Sequence, residues 1–342
     1  MLRNLMFGAA ALALVAFASP ANAQVALPGV EIEGPISQIT VPAQSPYTDP
    51  STGRSIIGEM KVMGATIRVL ESALVHTPGA SGVNAAAISL LRGLAGYKED
   101  GSSWPLPGRG NKPGFIGGTA IVVGESINGV IYANDVFSDM FENVIVGEAT
   151  GRVEVSGANV RRMSINGMPI VRSADTRIPA APPINGFGLR IRPNSIVNGT
   201  LASAEGYYGD DGVLYYHALE ADSAELVNPD TTQVSILRAS CRVRGGGRDE
   251  LEVRGGTVNP ANASVQIRLP LNPDRPNQFT SVGIVQAVPD NTVNPPQGLY
   301  RADFRNLNIP TGVCPSRVRA VILETSAGAL NQATATADLE GR

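Results

Sequence analysis

Histidine, cysteine, tryptophan and lysine are all scarce in this chain: two His, two Cys, one Trp and three Lys among 342 residues. Two imidazoles, His76 and His217, leave little material for a His-based metal site, which needs at least two with carboxylates or thiolates beside them. Two cysteines 73 positions apart make no C-x-x-C redox pair. Aromatics are 5% of the chain, too few for the interfacial girdles of an outer-membrane barrel. A net charge of −3 marks no surface as a nucleic-acid footprint. Beyond the N-terminus no apolar run is long enough to cross a bilayer as a helix. There is no Gly-x-Ser-x-Gly elbow, and the glycines at 245–247 are not followed by Lys-Ser or Lys-Thr, which excludes a P-loop. No cofactor is expected.

What is present is turn chemistry. Gly (38) and Pro (25) together exceed ordinary usage, which argues against a helical bundle. Residues 1–23 read as a secretory signal peptide. Arg3 opens it, an apolar stretch runs from Leu5 to Phe17, Ser19-Pro20 breaks that stretch, and Ala21-Asn22-Ala23 has the small-x-small form of a cleavage site. The expected location is periplasmic or secreted, after cleavage following Ala23.

The middle of the chain repeats itself. Gly129-Val130-Ile131-Tyr132 and Gly212-Val213-Leu214-Tyr215 align at a shift of 83, and the match runs on to Asp139 and Asp222. Upstream, Gly118-Thr119 matches Gly199-Thr200, and Val62-Met63-Gly64 matches Ile165-Asn166-Gly167, in the same order. Segments rich in Val, Ile, Thr and Tyr predict strands at 36–41, 60–69, 119–125 and 130–137 in the first copy. In the second they predict strands at 144–150, 161–172, 199–207 and 213–220. Asn128-Gly129, Asn166-Gly167 and Asp211-Gly212 accept the positive φ of tight hairpins. The first copy carries an insertion, 78–113, with a helix predicted from Val83 to about Tyr97. Val83, Ala87, Leu90, Leu91 and Leu94 share its inner face, and Ser81 is the expected N-cap. Prolines 179, 182, 183 and 193 predict a loop at the same place in the second copy.

Short strands with a helix between the third and fourth follow the plan of a small Greek-key barrel of the OB type. The pattern of turn glycines and aliphatics, a Val-x-Gly-x-x-Ile strand followed by Gly-Thr and Gly-Val-(Ile/Leu)-Tyr, resembles the OB-like repeat domains of unknown function found in many exported bacterial proteins. The resemblance implies a barrel and no catalytic residues. From Val234 onward about seven short strands at regular spacing predict an immunoglobulin-like sandwich. The expected fold is therefore all-β, two tandem OB-like barrels at 24–142 and 143–228 followed by a sandwich at 229–342. Cys241 and Cys314 are expected to bridge in an oxidising compartment, closing a loop worth about 4 kcal/mol in chain entropy.

Candidate sites follow from what remains. Tyr207, Tyr208, Tyr215 and Tyr216 flank one hairpin, and period-two alternation places half of them inside. If Tyr208 and Tyr216 are the outward pair, they form an aromatic platform of the kind on which OB barrels stack sugars or bases. His217 holds the position of Asn134 in the first copy, a polar strand position, and joins Tyr208 and Tyr216 as the candidate ligand-binding set. Asp135, Asp139 and Glu142 could offer oxygen ligands to Ca²⁺ but lack the loop spacing, and read first as a solvated strand end. The run from Arg242 to Arg248 is the most basic stretch and could meet phosphate or acidic polysaccharide. The expected function is a non-enzymatic binding or structural module of the cell envelope, its partner an envelope component or a glycan and not nucleic acid. One alternative is oligosaccharide binding on the Tyr-rich face of the second barrel; another is a hydrolase with a dispersed carboxylate site.

Overall fold

Runs of Val, Ile, Thr and Tyr punctuated by Gly and Asn form strands almost throughout, and the computed structural model has a single α-helix among its described residues. The structure describes residues 29–341 apart from 111, 141, 223–224, 259–263, 273–274, 276, 311, 313, 316, 327–328 and 339. The segment read as a signal peptide lies outside the described residues.

The first copy of the repeat contains β1 (Val30–Thr40), β2 (Tyr47–Thr48), β3 (Ser55–Val62), β4 (Ala65–Thr77), β5 (Ala80–Gly82), α1 (Ala85–Leu94), β6 (Thr119–Ile127) and β7 (Val130–Asp139). Five of these strands close a ring. β1 pairs antiparallel with β3 and β6, β3 with β4, and β6 with β7, while β4 and β7 pair in parallel. The second copy contains β8 (Asn143–Ser156), β9 (Asn159–Ile165), β10 (Met168–Arg172), β11 (Leu201–Tyr208) and β12 (Leu214–Ala221), and these form a closed barrel. Its pairing repeats the first ring strand for strand, with β10 and β12 as the parallel pair. This is the OB-like Greek-key order.

A shared irregularity strengthens the kinship of the two rings. Both carry a bulge in the hairpin of the fourth and fifth strands, at Val123/Gly124 and at Glu205/Gly206. A Cβ on either glycine would lie 2.2 Å from a backbone oxygen of the facing strand, that of Tyr132 or of Tyr215. Only glycine fits there.

The third unit contains β13 (Arg238–Arg242), β14 (Asp249–Val258), β15 (Ser264–Leu269), β16 (Thr280–Gln286), β17 (Val288–Asp290), β18 (Gln297–Leu307), β19 (Arg317–Ser326), β20 (Ala329–Asp338) and β21 (Glu340–Gly341). One sheet has the order β17-β18-β14-β13-β21 and the other β16-β15-β19-β20. The first four of the one and all of the other follow the order of the two immunoglobulin sheets. Ala239, Leu251, Val253 and Ala302 of one sheet and Val265, Ile267, Val318 and Ala320 of the other fill the space between them.

Several sequence expectations need correction. The segments 60–69 and 161–172 are not single strands. Each folds back on itself, at Met63-Gly64 (φ 50° and 81°) and at Asn166-Gly167 (φ 49° and 80°). The helix is shorter than the periodicity suggests. Asn84, with φ 52°, precedes it and Ser81 does not cap it, so Val83 lies outside the helix and is 48% exposed. Its inner face is Ala87, Leu91 and Leu94, packed into the first core. The second copy is a loop at the equivalent place, as its prolines require, with only a short 3-10 turn over Pro193–Ser195.

Cys241 and Cys314 are bonded, with Cα atoms 5.9 Å apart, and Cys241 sits in the sandwich core. In the full chain Cys241→Ser is expected to lower the unfolding free energy in guanidinium melts by about 2–5 kcal/mol. The native, unreduced protein is expected to take up no thiol-alkylating reagent; two reactive thiols would contradict the bridge.

Candidate functional site

The four tyrosines separate into two pairs by strand parity. Tyr216 faces Gly206 and lies in the second barrel's core, where its hydroxyl donates to the Val160 carbonyl. Burial pushes that phenol well above its ordinary pKa. Tyr208 pairs with the core residue Leu214 and so shares that parity, but at the strand end it is 51% exposed. The platform expected of Tyr208 and Tyr216 is therefore not formed: the parity is right, but its face is the inner one. The outward pair is Tyr207 and Tyr215, stacked with ring centroids 5.1 Å apart.

That outer pair is already covered. Tyr207 and Tyr215 pack against the first barrel's core cluster. The Tyr207 hydroxyl donates to the Pro107 carbonyl at 3.0 Å, and Asp210 donates its backbone N–H to the Gly108 carbonyl at 2.7 Å. A Cβ on Gly108 would come within 2.5 Å of the Tyr215 ring, so the insertion backbone can lie on the aromatic surface only as glycine. The first barrel's insertion thus occupies the face on which a ligand was expected.

A complementary contact runs the other way. After β10 the chain stays beside β12, with Ser173, Ala181 and Ile184 donating N–H groups to the carbonyls of Tyr216, His217 and Leu219. It then sends Arg177 into the first barrel's insertion. The guanidinium is buried and paired with Asp175, with Nε 2.8 Å from Oδ1. Nη1 donates to the Gly93 carbonyl at 2.7 Å and to the Trp104 carbonyl at 2.9 Å. A cation belongs at the C-terminal end of a helix, where carbonyls lack intrahelical partners. Gly93 faces the Arg177 side chain, and a Cβ there would meet Arg177 Cδ at 3.3 Å. The Trp104 ring lies over the guanidinium at 4.2 Å.

Beside this contact lies an open groove of about 740 Å³. Its walls include Leu90 on α1, Tyr97 just beyond it, and Trp104; Ser81, Ser89, Lys98, Glu99 and Asp100 supply polar groups around them. The loop is held as a turn. Lys98 donates its N–H to the Ser102 carbonyl at 2.9 Å, and Trp104 donates its N–H to the Gly96 carbonyl at 2.7 Å. Hydrogen bonds from Ser102 keep the Asp100 carboxyl below its usual range. Tyr97 is 47% exposed. Strand and turn patterning did not reveal this site. The signal was the only tryptophan of the chain, placed in the segment that one copy has and the other lacks.

The remaining candidates do not form a centre. His76 Nε2 is 2.8 Å from Asp135 Oδ1 across the parallel pair β4–β7, which takes Asp135 out of any carboxylate set with Asp139 and Glu142. Among the described residues no three His, Cys, Asp or Glu side chains converge as metal ligands. Asp210 binds Lys112 at 2.9 Å, and Asp211 receives the Tyr215 hydroxyl at 2.7 Å. Glu205 and Glu220 are held above the usual carboxylate range by burial, but they stand on β11 and β12, away from the groove. His217 is largely buried on β12, and burial lowers its pKa to about 4.

Two outcomes follow. Arg177→Ala leaves Asp175 buried without its cation and is expected to destabilise the protein by about 3–5 kcal/mol. The double variant Arg177→Met with Asp175→Leu is expected to recover most of that loss in chemical denaturation. For His217 the folded pKa lies below the ordinary 6.5, so the folded state binds fewer protons and stability falls as pH drops from 6.5 to about 4. His217→Gln is expected to remove up to about 3 kcal/mol of that decline, read as a flatter plot of unfolding free energy against pH.

No protein-family model matches the chain, and neither a curated protein nor a solved structure matches it, so the functional reading rests on its own geometry.

Proposed function

We propose that this protein is an exported, non-enzymatic binding module of the cell envelope that holds a neutral oligosaccharide in the groove between α1 and Trp104. One observation carries the reading. The only tryptophan lines an open groove while its ring is fixed against a buried guanidinium, beside a second, half-exposed aromatic ring and a set of hydroxyl and charged groups. Sugars are bound by such a combination, aromatic rings for the C–H faces and a few placed polar groups for the hydroxyls. Lys98 and the Arg92–Glu99 ion pair offset the carboxylates of the rim, so the groove carries little net charge, which suits an uncharged ligand. Export is supported by the pattern of residues 1–23 and agrees with the Cys241–Cys314 bridge, since such bonds persist in oxidising compartments.

The single tryptophan gives a direct assay. Neutral oligosaccharides of the cello-, malto- and chito- series are expected to shift Trp104 emission in a saturable way for at least one series. Tyr97→Ala is expected to weaken that binding roughly three- to tenfold, the worth of one aromatic contact. Emission unchanged by every series would reject the reading.

A further inference from the structure

The basic stretch singled out in the sequence is not a local feature, because the sheet register extends it across three strands. Arg238 pairs with Arg254, and Arg254 pairs with Arg301, so three guanidinium side chains stand in one row across β13, β14 and β18. Their strand neighbours Ala239, Val253 and Ala302 are buried in the core, and all three arginines are exposed on the outer face of the sheet. The next row is Ser240, Glu252 and Asp303. Beyond it Arg242 pairs with Glu250, and Arg305 lies farther along β18. Arg244 and Arg248 follow in the adjoining loop.

Like charges directly opposite on neighbouring strands, about 5 Å apart, repel one another and destabilise the pairing. The face compensates only in part. Glu252 serves two of the row, at 2.6 Å from Arg254 and 3.1 Å from Arg301; Glu250 holds Arg244 and Asp303 holds Arg305, each at 3.2 Å. Among the described side chains, seven arginines face three carboxylates, Glu250, Glu252 and Asp303, a local excess of positive charge on a chain whose net charge is −3. Arginine, unlike lysine, presents a planar fork that grips carboxylate or sulfate with two hydrogen bonds. The row is exposed, with the exposed apolar residues Leu299 and Val288 at one corner of the sheet. No described aromatic side chain is exposed on this face, so it has neither the stacking platform of a single-stranded nucleic-acid site nor the aromatic anchors of a membrane-surface element.

We infer that the outer face of the β17-β18-β14-β13-β21 sheet binds a linear acidic polysaccharide, its carboxylate or sulfate groups taken up by the Arg238–Arg254–Arg301 row and the arginines around it. The site is separate from the groove in the first barrel, and its ligand is anionic where the ligand of the groove is neutral.

The test is affinity electrophoresis of the full chain in gels containing polygalacturonate, with dextran as the neutral control. Retardation is expected in polygalacturonate alone and is expected to weaken steeply as salt rises, since bound counterions are released. The charge-reversal pair Arg238→Glu with Arg301→Glu is expected to weaken retention by about tenfold or more. The pair Arg238→Lys with Arg301→Lys is expected to keep part of it. Arg161→Glu with Arg192→Glu changes net charge equally at two exposed arginines of the second barrel and is expected to leave retention within about twofold of the parent. Equal loss in both charge-reversal pairs would show a net-charge effect and overturn the assignment, as would equal retardation in dextran. Binding to vesicles of equal phosphatidylglycerol and phosphatidylcholine without binding to polygalacturonate would overturn the polysaccharide in favour of a membrane surface. The Trp104 emission response to neutral sugars is expected to be unchanged in the Arg238→Glu with Arg301→Glu variant, which separates failure of this site from failure of the groove.

Discussion

Arg177 is the point on which the relation between the two barrels depends. A guanidinium taken out of water is costly unless its donors are met, and here Asp175, two backbone carbonyls and the face of Trp104 meet them. Those partners come from different parts of the chain. Asp175 is local to Arg177, whereas Gly93 and Trp104 belong to the insertion of the first barrel. The same irregular segment continues to the sandwich. There the Asn185 amide donates to Gln297 Oε1 at 2.7 Å and the Ser235 hydroxyl donates to the Phe187 carbonyl at 2.5 Å. What would be a passive loop in a single barrel is therefore the tie among three units, and its four prolines reduce the entropy lost in fixing it.

The tandem repeat was readable because turn glycines are dictated by backbone geometry and not by packing. Asn128-Gly129 and Asn166-Gly167 both adopt positive φ, as the dipeptides require. Met63-Gly64 makes the same turn with methionine in the place of asparagine. Strand content was legible for similar reasons, since β-branched runs between breakers have few other options.

Sidedness was not legible. Alternation sorted Tyr207 with Tyr215 and Tyr208 with Tyr216, but period two says nothing about which set is inside. The answer came from the packing of Tyr216 into the second barrel's core and from an insertion about 100 residues upstream that covers the other pair. The groove was illegible because it is built from the end of a helix, a turn and a segment of the second copy, which no local pattern connects. The arginine row lay beyond reach as well, since it exists only once β13, β14 and β18 are set in register.

The covering of Tyr207 and Tyr215 by Gly108 and its neighbours gives the tandem a direction. Each ring presents a tyrosine at the same place on its fifth strand, yet the two are shielded differently. Tyr132 is shielded by its own unit, through its hydroxyl bond to Asp49, and Tyr215 by the unit before it. The copies are therefore not interchangeable modules. A further copy spliced between them would need an insertion of its own to shelter the outward tyrosines of the copy that follows it.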